Sequence, residues 1–154
     1  MEENHNRAAE LGTLDGGVYL RMTNWAHVGK HKVRIEGDIF VSINDGPVSL
    51  GEMKAITEQL RKAVDERGVR FLMMNLMRAE APSPEARRWM SQNPYQGVQA
   101  VAGYGASRAL RFLSDLMRRA MDLLNPTNRR TPFRLFDTEA DVLAYFDSLR
   151  KTSS

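Results

Sequence analysis

The chain has 154 residues, a formal net charge of +3 and no cysteine. This length predicts one domain that buries enough surface to fold without a metal or a disulfide. Without cysteine, thiol catalysis, cysteine-ligated zinc and disulfide pairing are excluded. No apolar stretch approaches the roughly 18 residues that a membrane span needs, and the polar N-terminus is unlike a signal peptide. We therefore expect a cytoplasmic protein without a transmembrane segment.

Arginine is concentrated in the middle and late part of the chain. Residues 84–134 contain nine arginines and three acidic residues, a local excess of six positive charges. Such an excess suits an acidic partner, an anionic lipid surface or a nucleic acid, but it is also typical of an ordinary solvated helix surface. No RNA-recognition, helix-turn-helix or zinc-finger pattern accompanies the arginines, so the sequence carries no specific nucleic-acid signature.

Apolar residues alternate along some stretches and recur every three or four residues along others, which predicts strands and helices respectively. The predicted elements, in chain order, are strands at 18–23, 32–37 and 38–44, a helix at 50–67, a strand at 69–76, a helix at 84–93, a strand at 98–104, a helix at 107–124, a strand at 132–136 and a last helix capped by Thr138. Strands that alternate with helices imply βαβ units. We therefore expect an α/β fold with a mostly parallel sheet opened by an antiparallel β-hairpin. The single domain is predicted over residues 17–150, between disordered tails at 1–16 and 151–154.

The predicted helix at 107–124 carries two apolar stripes. One stripe consists of Leu110, Leu113, Met117, Met121 and Leu124, and the stripe beside it consists of Phe112, Leu116, Ala120 and Leu123. A helix that is apolar over so wide an arc usually buries more than one face. We therefore expect both stripes to be buried, and the second stripe suits a homodimer.

No residue pattern in the sequence indicates catalysis, a metal or a cofactor. His27 and His31 are four residues apart, but a glycine between them argues against a shared helix, so we expect both histidines in an exposed loop. The stretch at 103–108 is similar to a dinucleotide fingerprint, yet its third glycine position holds an arginine. A tight turn capped by Ser107 is favoured, and binding of another anion through Ser107 and Arg108 is the alternative.

Ser83 lies where a buried strand gives way to a helix, a common location for functional residues. No histidine is near it in sequence and no G-x-S-x-G motif surrounds it, so it is not predicted to be a nucleophile. Serine followed by Pro84 and Glu85 is typical of a helix start. We expect Ser83 to cap this helix and to position Arg87 and Arg88.

The order of these segments resembles that of one known family. The resemblance is carried by the opening hairpin and by the stretches LGEMKAITEQLRKAVDERG, RFLMMNL, SPEARR, AGYGAS and PFRLFDTEADVLAYF. Over residues 32–150 the chain resembles the bacterial SpoIIAA-like proteins of the STAS superfamily, also described as STAS/SEC14-like. This resemblance implies a small α/β domain without enzymatic activity that binds protein partners and acts as a regulatory module.

The resemblance also implies where a partner would bind. In anti-sigma-factor antagonists of this superfamily, a hydroxyl residue at the strand-to-helix junction is phosphorylated by a partner kinase, which breaks the complex. Ser83 lies at about that junction, so the resemblance implies its phosphorylation. We expect the partner surface at the starts of the second and third helices, with these residues: Ser83, Arg87, Arg88, Ser107, Arg108 and Arg111.

The alternative function is binding of a lipid or another small apolar ligand, which the SEC14-like description implies. Methionines at core-facing positions suit such a ligand because their side chains adapt to irregular shapes. A cavity lined by Met73, Met117 and Met121 would favour this alternative, whereas a fully packed core would oppose it. A nucleotide-dependent enzyme is the remaining class, and nucleotides that leave the melting temperature unchanged would exclude it.

Overall fold

The computed structural model describes residues 24–93, 97–124 and 131–152. The strands of this part are β1 (Ala26–Val28), β2 (His31–Glu36), β3 (Ile39–Gly46), β4 (Phe71–Ala79), β5 (Ala100–Tyr104) and β6 (Phe133–Phe136). The helices are α1 (Leu50–Arg67), α2 (Pro84–Gln92), α3 (Arg108–Leu124) and α4 (Glu139–Thr152). The strand predicted at 18–23 and the N-terminal tail predicted at 1–16 lie outside the described residues, and β1 is a strand that the sequence pattern did not predict.

The six strands lie in chain order across one mixed sheet. β1, β2 and β3 pair antiparallel, and β3, β4, β5 and β6 pair parallel. The predicted α/β architecture, a mostly parallel sheet opened by an antiparallel hairpin, is therefore confirmed. Because each crossover steps the same way across the sheet, α1, α2 and α3 lie on one face, where they surround a common cavity. The last helix, α4, covers the opposite face.

The face under α4 is closely packed. The rings of Phe71 and Phe146 stack with their centroids 4.5 Å apart. The buried residues of this core are Ile39, Val41, Phe71, Met73, Ala100, Ala102, Tyr104, Val142 and Phe146. On α4, Val142 and Phe146 face the sheet and are fully buried, whereas Leu143 is 37% exposed.

The other face has a smaller buried cluster beneath α1. Its members are Val33, Phe40, Leu60, Ala63, Val69 and Val98. α1 begins as predicted at Ser49, whose hydroxyl accepts from the Glu52 N–H at 3.2 Å while the Ser49 N–H donates to Glu52 Oε1 at 2.9 Å. This reciprocal pair satisfies two backbone donors at the helix start. The helix ends at Gly68, whose φ of 67° is a left-handed conformation that favours glycine.

A side-chain contact joins the C-terminal helix to the hairpin. The guanidinium of Arg150 donates to both carboxylate oxygens of Asp38, with Nε–Oδ2 at 3.0 Å and Nη2–Oδ1 at 2.5 Å. These hydrogen bonds raise the pKa of Arg150. α4 continues to Thr152, whose hydroxyl donates to the Leu149 carbonyl at 3.0 Å. The C-terminal tail predicted for 151–154 is therefore wrong for its first two residues, which are helical.

His31 is buried rather than exposed in a loop, so that prediction was wrong. Gly29 (φ 62°) makes a tight turn that pairs β1 with β2 and directs His31 inward, where it is 1% exposed. Its Nδ1 accepts from the Asp45 N–H at 3.1 Å, and its Nε2 lies 3.3 Å from Glu52 Oε1. Both ring nitrogens therefore have partners, as burial of a polar ring requires. His27 is exposed, but on β1 rather than in a loop.

Candidate functional site

The starts of α2 and α3 lie at one edge of the sheet. Since β4 and β5 are parallel neighbours, their C-terminal ends meet at the same edge, and each is followed by a helix on the same face. Clefts at this edge are the usual ligand or partner sites of open α/β sheets. The topology thus brings Ser83 and Ser107, with the arginines that follow each of them, to one side of the molecule.

Ser83 is the N-cap of α2, as predicted. Its hydroxyl accepts from the Ala86 N–H at 3.1 Å, and its own N–H donates to the Val48 carbonyl at 3.0 Å. Arg87 is half-buried and donates to the Pro82 carbonyl at 3.3 Å, so it also holds the helix start. Of this group, Arg88 alone is exposed. Phosphorylation of Ser83 stays a prediction.

The start of α3 repeats this arrangement. The Ser107 hydroxyl accepts from the Leu110 N–H at 3.1 Å, which confirms the predicted cap. Arg111 pairs with Asp137 Oδ1 at 2.9 Å and also donates to the carbonyls of Ala106 and Phe136, so it ties α3 to the end of β6. Arg108 is exposed. The exposed cations of the predicted surface are therefore Arg88 and Arg108.

The two apolar stripes of α3 have different surroundings. In the inner stripe, Leu110 is buried and Met117 is half-buried against the cavity. In the outer stripe, Phe112 is 66% exposed, Leu116 is 47% exposed and Leu123 is 84% exposed. The expectation that both stripes are buried is wrong for the described residues, because the stripes are centred roughly 100° apart around the helix, so the inner one faces the sheet and the outer one does not.

A cavity of about 490 Å³ lies between the sheet and helices α1, α2 and α3. Its walls are mainly apolar and include four methionines: Met53, Met74, Met90 and Met117. Met117 was predicted to line such a cavity. Met73 was predicted as well, but it belongs to the core under α4, because neighbouring strand residues face opposite sides of the sheet. The side chain of Met121 lies outside what the structure describes.

Polar groups occur at both ends of this cavity. At the β3 end, the Ser42 hydroxyl donates to Asn44 Oδ1 at 2.8 Å, and Ser42 is 2% exposed. At the β6 end, Arg118 lies beside Phe133. None of these residues was predicted from the sequence to belong to a site. A signal was present, since Ser42 and Asn44 follow Phe40 at two-residue spacing and so share its face of β3, which the helices cover.

A shallow groove of about 260 Å³ adjoins the cavity at the β6 edge of the sheet. It is lined by Arg111, Ser114, Asp115, Arg118, Phe133, Arg134 and Leu135. Three of these residues also line the cavity, so the two spaces are neighbours. Arg118 Nη2 lies 2.8 Å from Asp115 Oδ1, and both side chains are more than half exposed. Arg111 and Arg118 in this groove are each paired with a carboxylate, and the groove is open to solvent.

Among the described core residues, Tyr104 is the one whose pKa departs most from its ordinary value. Its hydroxyl donates to Glu139 Oε2 at 3.0 Å, and burial together with this carboxylate raises the pKa of Tyr104 to about 12. The phenol therefore stays protonated and links β5 to α4.

The described part of the chain brings together no group of three metal-ligating side chains, and none of its helices has the length and hydropathy of a bilayer-spanning segment.

No protein-family model matches the chain, and no curated protein matches it significantly. The class that the fold defines is thus an α/β domain with a mixed six-stranded sheet in its described part.

Proposed function

We propose that this protein is a non-enzymatic interaction module that binds a protein partner through the outer face of α3. The observation that carries the proposal is the outer stripe, because Phe112, Leu116 and Leu123 expose large apolar side chains along one helix face. Exposed aromatic and aliphatic groups clustered in this way mark interaction surfaces more often than chance placement does. The inner stripe already meets the cavity, whereas the outer stripe is exposed and packs against no element of the part of the chain that the structure describes.

The charges around the stripe support the same proposal. Arg108 and Arg119 are exposed on α3 beside the apolar residues, and Arg88 is exposed at the adjacent α2. Protein interfaces commonly combine an apolar centre with a polar rim and are enriched in arginine and aromatic residues. An acidic partner surface with an apolar centre therefore has the matching chemistry. A second copy of the chain is the homodimeric form of the proposal, which needs well over ~1,000 Å² of buried area.

The proposed family is consistent with this function. The α/β architecture agrees with the small α/β domain that the resemblance to SpoIIAA-like STAS proteins implies. A regulatory role and the phosphorylation of Ser83 are carried by that resemblance alone. Intact-mass analysis of the protein from its native source would reveal a phosphate.

The test is a pull-down from the source lysate with wild-type protein and a Leu116→Asp variant, combined with light scattering to measure the oligomeric state. Leu143→Asp is the matched control, because Leu143 is an exposed leucine on α4 at the opposite face. We expect Leu116→Asp to lose the partner or the dimer, since a charge at an interface centre costs about 2 kcal/mol or more. Both variants should melt near the wild-type temperature.

The proposal fails if Leu116→Asp retains every partner that the wild type and Leu143→Asp capture, and if all three proteins have the same mass in solution. Arg88→Glu provides a second reading of the same surface. We expect it to weaken capture of an acidic partner, and more so at low salt, because rim charges act mainly through screened electrostatics.

The second candidate function is binding of a small apolar ligand, and the cavity under α1, α2 and α3 favours it. Its volume of about 490 Å³ lies within the ~300–1,000 Å³ range of small-molecule sites. Trp89, Met90 and Met117 give it the aromatic and flexible apolar walls that such sites have. The two functions are compatible, since the stripe and the cavity lie on different sides of α3.

A further inference from the structure

The cavity is elongated across the sheet. Its wall begins at Ser42 on β3, continues over Leu72 on β4 and Val101 on β5, and reaches Phe133 on β6. Neighbouring strands lie about 4.8 Å apart, so the three steps from β3 to β6 span about 14 Å. A polypeptide segment in such an apolar space would leave backbone polar groups unsatisfied. A single extended hydrocarbon chain has no such groups and fits the shape.

The two ends of the cavity differ in charge. The β3 end is uncharged, because its polar side chains are the neutral groups of Ser42 and Asn44, which hydrogen-bond to each other. The β6 end is positive, because Arg118 is the one charged side chain among the described residues that line the cavity. Arg118 also lines the groove, beside Arg111, whose guanidinium is paired with Asp137. A ligand that runs the length of the cavity therefore meets a cation at one end only.

We propose that the cavity binds a single-chain anionic amphiphile of the fatty-acid class, with its chain across the sheet and its carboxylate at Arg118. This inference rests on the second candidate function. A guanidinium binds a carboxylate through two parallel hydrogen bonds, which gives both affinity and orientation. Arg118 already pairs with Asp115, so the ligand carboxylate competes with that side chain. Since this ion pair is 57% and 55% exposed, the exchange costs little.

Trp89 provides a direct probe, because it lines the cavity and the chain has two tryptophans. Trp25→Phe leaves Trp89 as the only one, and Trp25 lies outside the cavity, packed against the core under α4. This protein is titrated with laurate, dodecanol and dodecyltrimethylammonium, which share a chain length and differ in head group, each below its micelle concentration. We expect the Trp89 emission to report tightest binding for laurate, weaker binding for dodecanol and weakest binding for the cation.

Three variants test the position of the head group. Arg118→Gln should weaken laurate about three- to tenfold and leave dodecanol unchanged, since a charge-assisted hydrogen bond at an exposed site is lost. Asp115→Asn should strengthen laurate a few-fold, because the competing carboxylate is removed. Arg119→Gln, on the same helix but outside the cavity, should change neither ligand. A merely structural role of Arg118 would not produce opposite effects from the two partners of one ion pair.

The outcomes separate the inference from the function on which it rests. If none of the three amphiphiles changes the Trp89 emission or the melting temperature, binding of an apolar ligand is overturned, and the inference with it. If dodecanol binds as tightly as laurate, or if Arg118→Gln weakens both equally, the anionic head group is wrong while the apolar-ligand function stands. Tight laurate binding with opposite shifts from Arg118→Gln and Asp115→Asn supports both. The substitutions of Arg118, Asp115 and Arg119 are at exposed positions, so they test binding without threatening the fold.

Discussion

One helix covers one face of the sheet and three helices cover the other, yet the single helix makes the tighter core. Under α4, Val142 and Phe146 are fully buried, and the small residues Ala100 and Ala102 let the helix approach the strands closely. On the other face, α2 has only nine residues and a cavity of about 490 Å³ remains between the helices and the sheet. Interiors are normally packed closely, so this apolar pocket marks the less closely packed face.

This difference separates the parts of the molecule that hold it together from the parts that are free to bind. An apolar cavity costs stability, because its lining atoms lose contacts that a packed core would supply. A fold that has one closely packed face can tolerate that cost on the other. Both candidate functions use the less closely packed side: the cavity lies beneath α3 and the exposed stripe lies on its outer surface.

The largest expected loss of stability comes from a substitution that compares the two faces of the sheet directly. Phe146→Ala should lower the free energy of unfolding by about 3–5 kcal/mol, because it empties a site stacked on Phe71. Met117→Ala should cost only about 1 kcal/mol, since Met117 borders a space that is already open. Urea denaturation followed by circular dichroism measures both values. Equal losses from the two substitutions would mean that the cavity face is packed as firmly as the α4 face.

The sequence predicted this fold well because its strongest signals are periodic. The alternation along β2 and β3, and the three- and four-residue spacing in α1, depend only on which residues are apolar, and the caps at Ser49, Ser83 and Ser107 depend on local hydrogen bonds. The burial of His31 was missed because it depends on β1, a three-residue strand whose pairing is set by a turn rather than by hydrophobic alternation.

The candidate site was harder to predict, because it depends on how elements meet. Arg111 was predicted only as part of the partner surface, whereas in the structure it also holds the β6–α4 connection through Phe136 and Asp137. A shift of one residue in the register of β4 would exchange Met73 and Met74 between the two faces of the sheet. Arg118 of α3 and Phe133 of β6 line the same end of the cavity, and only the complete sheet brings these two elements together.

A smaller loss of stability should follow when the contact between α4 and the hairpin is removed. Asp38→Ala removes both hydrogen bonds to Arg150 and should cost about 1.5–3 kcal/mol, since both side chains are less than one-third exposed. Asp147→Ala removes the other carboxylate that binds Arg150, but Asp147 is 64% exposed and should contribute less than about 0.5 kcal/mol. If the two losses are equal in urea denaturation, the hairpin contact does not help to hold the α4 face.

The smallest expected loss of stability comes from a substitution at the start of α1, a helix that lines the cavity. The Ser49 N–H, with further help from the Ser49 hydroxyl and His31, lowers the pKa of Glu52 below its ordinary value of 4.5. A carboxylate with a depressed pKa stabilises the folded state above its ordinary pKa, and this stability disappears as the pH falls through the depressed value. Glu52→Gln should therefore cost about 1 kcal/mol at pH 7, and the gap to wild type should close as the pH falls below 4.5. Glu58→Gln, at an exposed position in the same helix, controls for the loss of a carboxylate. A gap that stays constant from pH 7 to pH 3 in urea denaturation would show that Glu52 acts through packing rather than through its charge.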